Sequence, residues 1–317
     1  MRSAAVLVVF LCAITLGLAS CGESQDSTDQ QTADQIRAQA DARALERARL
    51  EAEAERQAKL ERKAARAKRK AQSTSQPSAE GFSAVASKLS GQQGVAIAGI
   101  ASGGGNLQVT SAGELSGGVA WSTAKVPVAM AAIEAGTASQ SNLQAAITAS
   151  DNAAAEQLWA GLGGGNQAAQ AADAQLRSSG DSRTSIQPDR LRAGFTPFGQ
   201  TSWSLADQVQ FMAGMQCSRQ GKQVLGLMQQ VVSGQRWGLA NVGTAPRFKG
   251  GWGPGVSPGS GGPWLERQMG IVSMPGGDFA VAIASVGGNH ESGIAALNAI
   301  SAWLKNYLAN MSAGRGC

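Results

Sequence analysis

The sequence predicts an α/β chain, more narrowly an α+β sandwich. It would hold an antiparallel five-stranded sheet flanked by N- and C-terminal helices, with an all-helical subdomain and an N-terminal helical stalk. Three observations predict this. Beyond residue 81 the patterns run helix, two strands, a block of helices, three strands, helix, which places both ends of the folded part beside one sheet. The final stretch, 291–309, carries Ile294, Leu297, Ile300, Leu304 and Leu308 at helical spacing. Residues 35–71 are rich in Ala, Glu, Arg and Lys, with opposite charges four residues apart.

The elements follow in order. Residues 1–20 read as an export signal: Arg2, an apolar run, then small residues. The run is too short and wrongly flanked to cross a membrane. It ends in Leu18-Ala19-Ser20-Cys21, which resembles a bacterial lipobox. That resemblance implies cleavage before Cys21 and acylation of its thiol, hence a chain anchored to the cell membrane and facing the cell envelope. A plain signal peptide with an incidental cysteine is the alternative.

Residues 21–80 comprise the anchor, the charged helical stalk and a linker. Large apolar residues are sparse in the stalk (Ile36, Leu45, Leu50, Leu60) and keep no heptad, so a solvated single helix of about 55 Å is expected rather than a coiled coil. Its basic end, "ERKAARAKRK", suits anionic head groups or acidic wall polymers, though a solvated face explains it equally. "AQSTSQPSAE" (71–80) is a flexible joint.

The folded domain spans 81–317. "FSAVASKLSG" reads as a helix. "GVAIAGIAS" and "NLQVTSAG" read as strands joined by the glycines at 103–105. Helical stretches follow at 119–135, 141–162, 166–179, 203–216 and 221–233. An edge strand at "PRFKGGWG" and two strands paired around Gly276-Gly277 precede the last helix.

Composition narrows the function. The formal charge of +5 owes much to the stalk, so no nucleic-acid partner is expected. His290 is the one histidine; a Ser-His-Asp triad or a His-based metal site would have to use it. It reads as a surface-loop residue, and neither metal nor cofactor is expected. With Cys12 removed and Cys21 acylated, Cys217 and Cys317 remain, as a disulfide or as two free thiols.

Three short motifs carry chemistry. Ser122-Thr123-Ala124-Lys125 puts a hydroxyl and an amine on one helix face. Apolar neighbours would desolvate Lys125, lower its pKa and let it take the serine proton. Ser150-Asp151-Asn152 breaks an alanine-rich helical run; a plain N-cap explains it. Alternatively, Ser150 relays a proton between two lysines and Asn152 binds a substrate amide. Lys249-Gly250-Gly251 leads into Trp252. Lys249 would hold positive potential near Ser150, and the backbone amides of Ser122 and Trp252 would form an oxyanion hole. Each motif alone is weak.

As an ordered set, the three resemble the S-x-x-K, S-D-N and K-T-G signature of class A β-lactamases and penicillin-binding proteins. "LQAAITASDNAAAEQLWAGLGGG", "QLRSSGD", "PDRL" and "GQRWGLANVG" extend the likeness across roughly 81–310. The resemblance implies a serine hydrolase with Ser122, Lys125, Ser150 and Lys249 catalytic. Asn152, Gly250 and Gly251 would bind substrate, and the ligand would be a β-lactam or a peptidoglycan-derived peptide. Three departures stand out. Arg192 occupies the position of the deacylating glutamate, and no Glu occurs between Glu156 and Glu266. The interval from Ser122 to Ser150 is short for the family, so the helical subdomain is reduced. Gly250 replaces a hydroxyl residue, for which Arg236 or Arg267 would compensate. Two functions follow as expectations: a membrane-anchored hydrolase that deacylates slowly, or an inactive lipoprotein that binds wall fragments or a protein partner.

Overall fold

Alternation in one strand sets the architecture. In the run Phe279 to Ala284, Phe279, Val281 and Ile283 face one side, while Ala280, Ala282 and Ala284 face the other. The large side chains pack with Val95, Ile97, Phe248 and Val272 against Leu297, Ile300, Leu304 and Leu308. The alanines pack with Ala96, Ala98, Met269 and Ile271 into the core of the helical block. The strand is therefore buried on both faces and reads as one apolar run.

The computed structural model describes residues 46, 49–50, 52–61, 63, 81–100 and 107–316. The chain divides into two units, Met1–Thr74 and Ser75–Cys317. In the first, the described residues between 46 and 63 are helical (α1), with an Arg49–Glu53 ion pair one turn apart. The lipobox cysteine Cys21, the signal segment and the glycine turn at 103–105 lie outside the described residues.

The second unit begins with α2 (Phe82–Ala86), then β1 (Gln92–Gly99), β2 (Thr110–Gly113) and β3 (Gly117–Val119). A 3₁₀ turn, Trp121–Ala124, runs into α3 (Lys125–Glu134), followed by α4 (Gln140–Thr148), α5 (Asn152–Gly161) and α6 (Gly165–Ser178). After β4 (Ser202–Ser204) come α7 (Leu205–Met215) and α8 (Arg219–Met228), then β5 (Thr244–Pro254), β6 (Trp264–Met274), β7 (Gly277–Val286) and α9 (His290–Ala309). The main sheet has the order β2-β1-β7-β6-β5, every pair antiparallel, with β5 at one edge. The α+β sandwich is thus as the sequence predicts. The small β3–β4 pair is an addition that three-residue strands do not announce.

Two local expectations change. The stretch 141–162 is two helices, because Ser150 adopts a left-handed conformation (φ 61°) that ends α4 before Asp151 starts α5. His290 is the first residue of α9, entered through a capping box between Asn289 and Ser292.

Candidate active site

Four elements meet at one place: the 3₁₀ turn at 121–124, the start of α3, the α4–α5 junction and edge strand β5. The backbone is forced there. Trp121 (φ 48°) and Ser150 (φ 61°) are two of the three non-glycine residues with left-handed φ among the described residues. A bulky residue there is a real outlier, and such outliers cost about 1–3 kcal/mol each.

The opening for that backbone comes from glycines. A Cβ at Gly251 would lie 2.8 Å from the Ser122 nitrogen and 2.9 Å from the Ala120 oxygen. One at Gly253 would lie 2.8 Å from the Trp121 ring. Gly251→Ala is therefore expected to push β5 off the turn, lower the melting temperature and reduce Ser122 reactivity together. Unchanged melting with unchanged reactivity would contradict this close approach. The contact brings the backbone of Gly251 against that of residues 120–123.

Two lysines converge on Ser150. The Lys125 amine donates to the Ser150 carbonyl, to Asn152 Oδ1 at 2.7 Å and, at 3.4 Å, to Ser150 Oγ. The Lys249 amine donates to Ser150 Oγ at 2.8 Å and to the Gly250 carbonyl at 2.9 Å. Both lysines are buried, and no carboxylate among the described residues bonds either of them. Burial drives Lys125 down from 10.5 to about 7, against the opposing pull of Asp151 and Glu156. Burial, then the charge of Lys125, lowers Lys249 well below its ordinary value.

The N-cap role in the tripeptide falls to Asp151. Asp151 caps α5, its carboxylate accepting from the Ala154 amide at 2.7 Å. Ser150 and Asn152, on either side, face the lysines.

Ser122 is half-buried, and its hydroxyl has no hydrogen-bond partner among the described residues. The expected bond to Lys125 is not made. Lys125 is engaged by the tripeptide instead, through the Ser150 carbonyl and Asn152 Oδ1.

The remaining candidates separate. A Cβ at Gly250 would meet the indoles of Trp252 and Trp237 at 3.3 and 3.6 Å, so this position faces away from Lys249 and Gly251. Arg236 is exposed, bonded to the Gln229 carbonyl and 6.0 Å from the Phe248 ring. Its loop touches the tripeptide's approach through Gln235 to the Ala149 carbonyl and Val232 to the Thr148 carbonyl.

Arg267 does not face solvent. It is fully buried, donating to the carbonyls of Gly118, Val119 and Trp203 and to Gln208 Oε1, and burial lowers it to about 9. A substrate carboxylate cannot reach it without unfolding that network. Arg192 ties its loop to β5 through the Pro254 and Ser260 carbonyls and stacks 4.2 Å from the Phe195 ring centroid. Cys217 is disulfide-bonded; Cys317 lies outside the described residues. Among those residues no cluster of His, Cys, Asp and Glu could hold a metal.

On the opposite face of β5, Trp252 stacks on His290, whose Nδ1 lies 2.8 Å from Glu266 Oε2. Glu266 is buried and also accepts from Trp264 Nε1; burial raises it to about 7. Neither this cluster nor the Arg267–Gln208–Thr123 chain beside Ser122 was foreseen. Alternate glycines at 251 and 253, on one face of a strand, were the available sign of Trp121.

No family model and no curated protein matches the sequence. Solved structures do. A variant of the last common ancestor of Gram-negative bacteria class A β-lactamase superposes with a TM-score of 0.53 at 18% identity, over 74% of this chain and 99% of that one. PBP-A gives 0.54 at 18%, over 74% and 98%. A β-lactamase from Xanthomonas campestris gives 0.53 at 17%, over 71% and 95%. The S-x-x-K, S-D-N and K-G-G segments meet within the architecture these proteins share: this chain has the β-lactamase/transpeptidase-like fold.

Proposed function

We propose that the chain is a membrane-anchored serine acyl-transfer hydrolase of the cell envelope, acting on β-lactams or on a cell-wall peptide. One observation carries the reading. Two buried lysines with no carboxylate bonded to them converge on the Ser150 hydroxyl, beside a half-buried serine whose own hydroxyl is uncommitted. Ser122 attacks the amide or lactam carbonyl. Neutral Lys125 takes the proton, which Ser150 passes toward Lys249 or the leaving nitrogen. The backbone amides of Ser122 and Trp252 receive the oxyanion. A substrate carboxylate approaching Lys249 favours the charged form of its amine, so binding and protonation reinforce each other.

Deacylation is slow in this reading. Arg192 stands where the water-activating glutamate would be, and its guanidinium is committed to two backbone carbonyls. The fold supports serine-hydrolase-like chemistry in general. The lipobox at Cys21 supports the anchor, and no described helix is long and apolar enough to cross a membrane.

The unmade Ser122–Lys125 bond favours a second reading, a β-lactamase-fold lipoprotein that binds wall fragments or a partner without turnover. Labelling with fluorescent penicillin separates the two. A covalent adduct that persists for hours and disappears in Ser122→Ala supports acylation with stalled hydrolysis. An unlabelled, folded protein at saturating dose supports binding alone.

A further inference from the structure

A cavity of about 340 Å³ lies away from the catalytic face, between α8, the start of β5, the β6–β7 turn and the C-terminal tail. Lys222, Arg247 and Arg315 line it, with Asp278 the one carboxylate among the described residues and Gln216 and Gln229 adding amides. Separately fixed elements deliver the three cations. Lys222 sits on α8, one residue beyond Gly221, whose amide is capped by Ser218. Arg315 ends a tail pinned by bonds from the Ala313 amide to the Gly276 carbonyl and from the Asp278 amide to the Gly314 carbonyl.

Arg247 follows a register shift in β5, and Ala245, within it, is the third left-handed non-glycine residue (φ 46°). Bulges re-aim side chains, and strain of this kind gathers at functional places. The other two such residues border Ser122 and Lys125.

Arg247 is under-used by the protein. Its contacts to Ser273 Oγ (3.2 Å) and Asp278 Oδ2 (3.4 Å) are long, and its Nε is buried with no partner. Among the described residues, three cations against one carboxylate leave the lining positive. That matches a phosphate monoester, which carries about −1.5 to −2 near pH 7 and suits the guanidinium fork.

We propose that this cavity is a binding site for a phosphate monoester group, held by Arg247 with Lys222 and Arg315. The group can belong to a soluble ester or to a lipid headgroup. Calorimetric titration of the detergent-solubilised full chain with inorganic phosphate tests it. Saturable binding is expected, at least tenfold weaker in the double variant Lys222→Gln/Arg315→Gln. Both side chains are exposed and hold no carboxylate among the described residues, so the variant's melting without phosphate should match the native chain.

Phosphatidate in the micelles that displaces phosphate would assign the lipid source; phosphate binding untouched by it would assign the soluble one. The proposal is overturned if binding does not saturate, if the double variant binds equally, or if succinate binds as tightly as phosphate.

Discussion

Lys125→Met should slow acylation of Ser122 by about 10²–10⁴-fold, the usual contribution of one positioned base. Methionine keeps the apolar stem and removes only the amine, so the buried helix should survive. The native rate should rise with pH through about 7 and then level, as the neutral amine becomes the dominant form. The variant should lose that inflection. Folding reports the same proton: between about 7 and 10.5 the unfolded chain holds a proton at this lysine that the folded chain has released. Stability relative to the variant should therefore climb with pH across that window. Stopped-flow labelling across pH and denaturant melts measure the two effects. A native rate flat in pH, or a variant acylated at the native rate, would remove Lys125 from the mechanism.

Arg267→Met should cause the largest loss of stability, about 3–5 kcal/mol, or about 10 °C in melting temperature. The reason is what it leaves behind. The carbonyls of Gly118, Val119 and Trp203 and the Gln208 amide oxygen all accept from this one guanidinium inside the protein. Burying the charge is itself unfavourable, which moderates the loss without reversing it. Gln208 also donates to Thr123 Oγ1 at 2.9 Å, so the damage should reach the turn that holds Ser122. Thermal melts of Met and Lys variants, with acylation rates, provide the check. A variant that melts normally but binds carboxylate ligands poorly would instead make Arg267 a substrate residue.

The sequence displays its periodic elements well, since burial on two sides of a sheet leaves a repeating mark. The pattern over 291–309 locates α9, and the apolar runs locate β1, β6 and β7. Lys125 is legible for another reason, since a lysine set among apolar residues is conspicuous, whereas Lys249 is legible only through the ordered set of three motifs. Relations across the chain are not legible. Nothing near Arg267 says that its partners are carbonyls of residues 118, 119 and 203. Nothing near His290 says that a glutamate 24 residues earlier holds it at a helix start. At Ser150-Asp151-Asn152 the residue types do mark a helix start, and the left-handed backbone of Ser150 is what the sequence does not show.

The left-handed turns at Trp121 and Ser150 give this scaffold an evolutionary liability. Relaxing either position would make the protein hardier, and each borders a group that the proposed chemistry uses. A laboratory selection for heat resistance alone would be drawn to such positions and would return sturdy, inert descendants. Selection that demands turnover at every round should leave both residues in their costly shapes and gather its gains elsewhere.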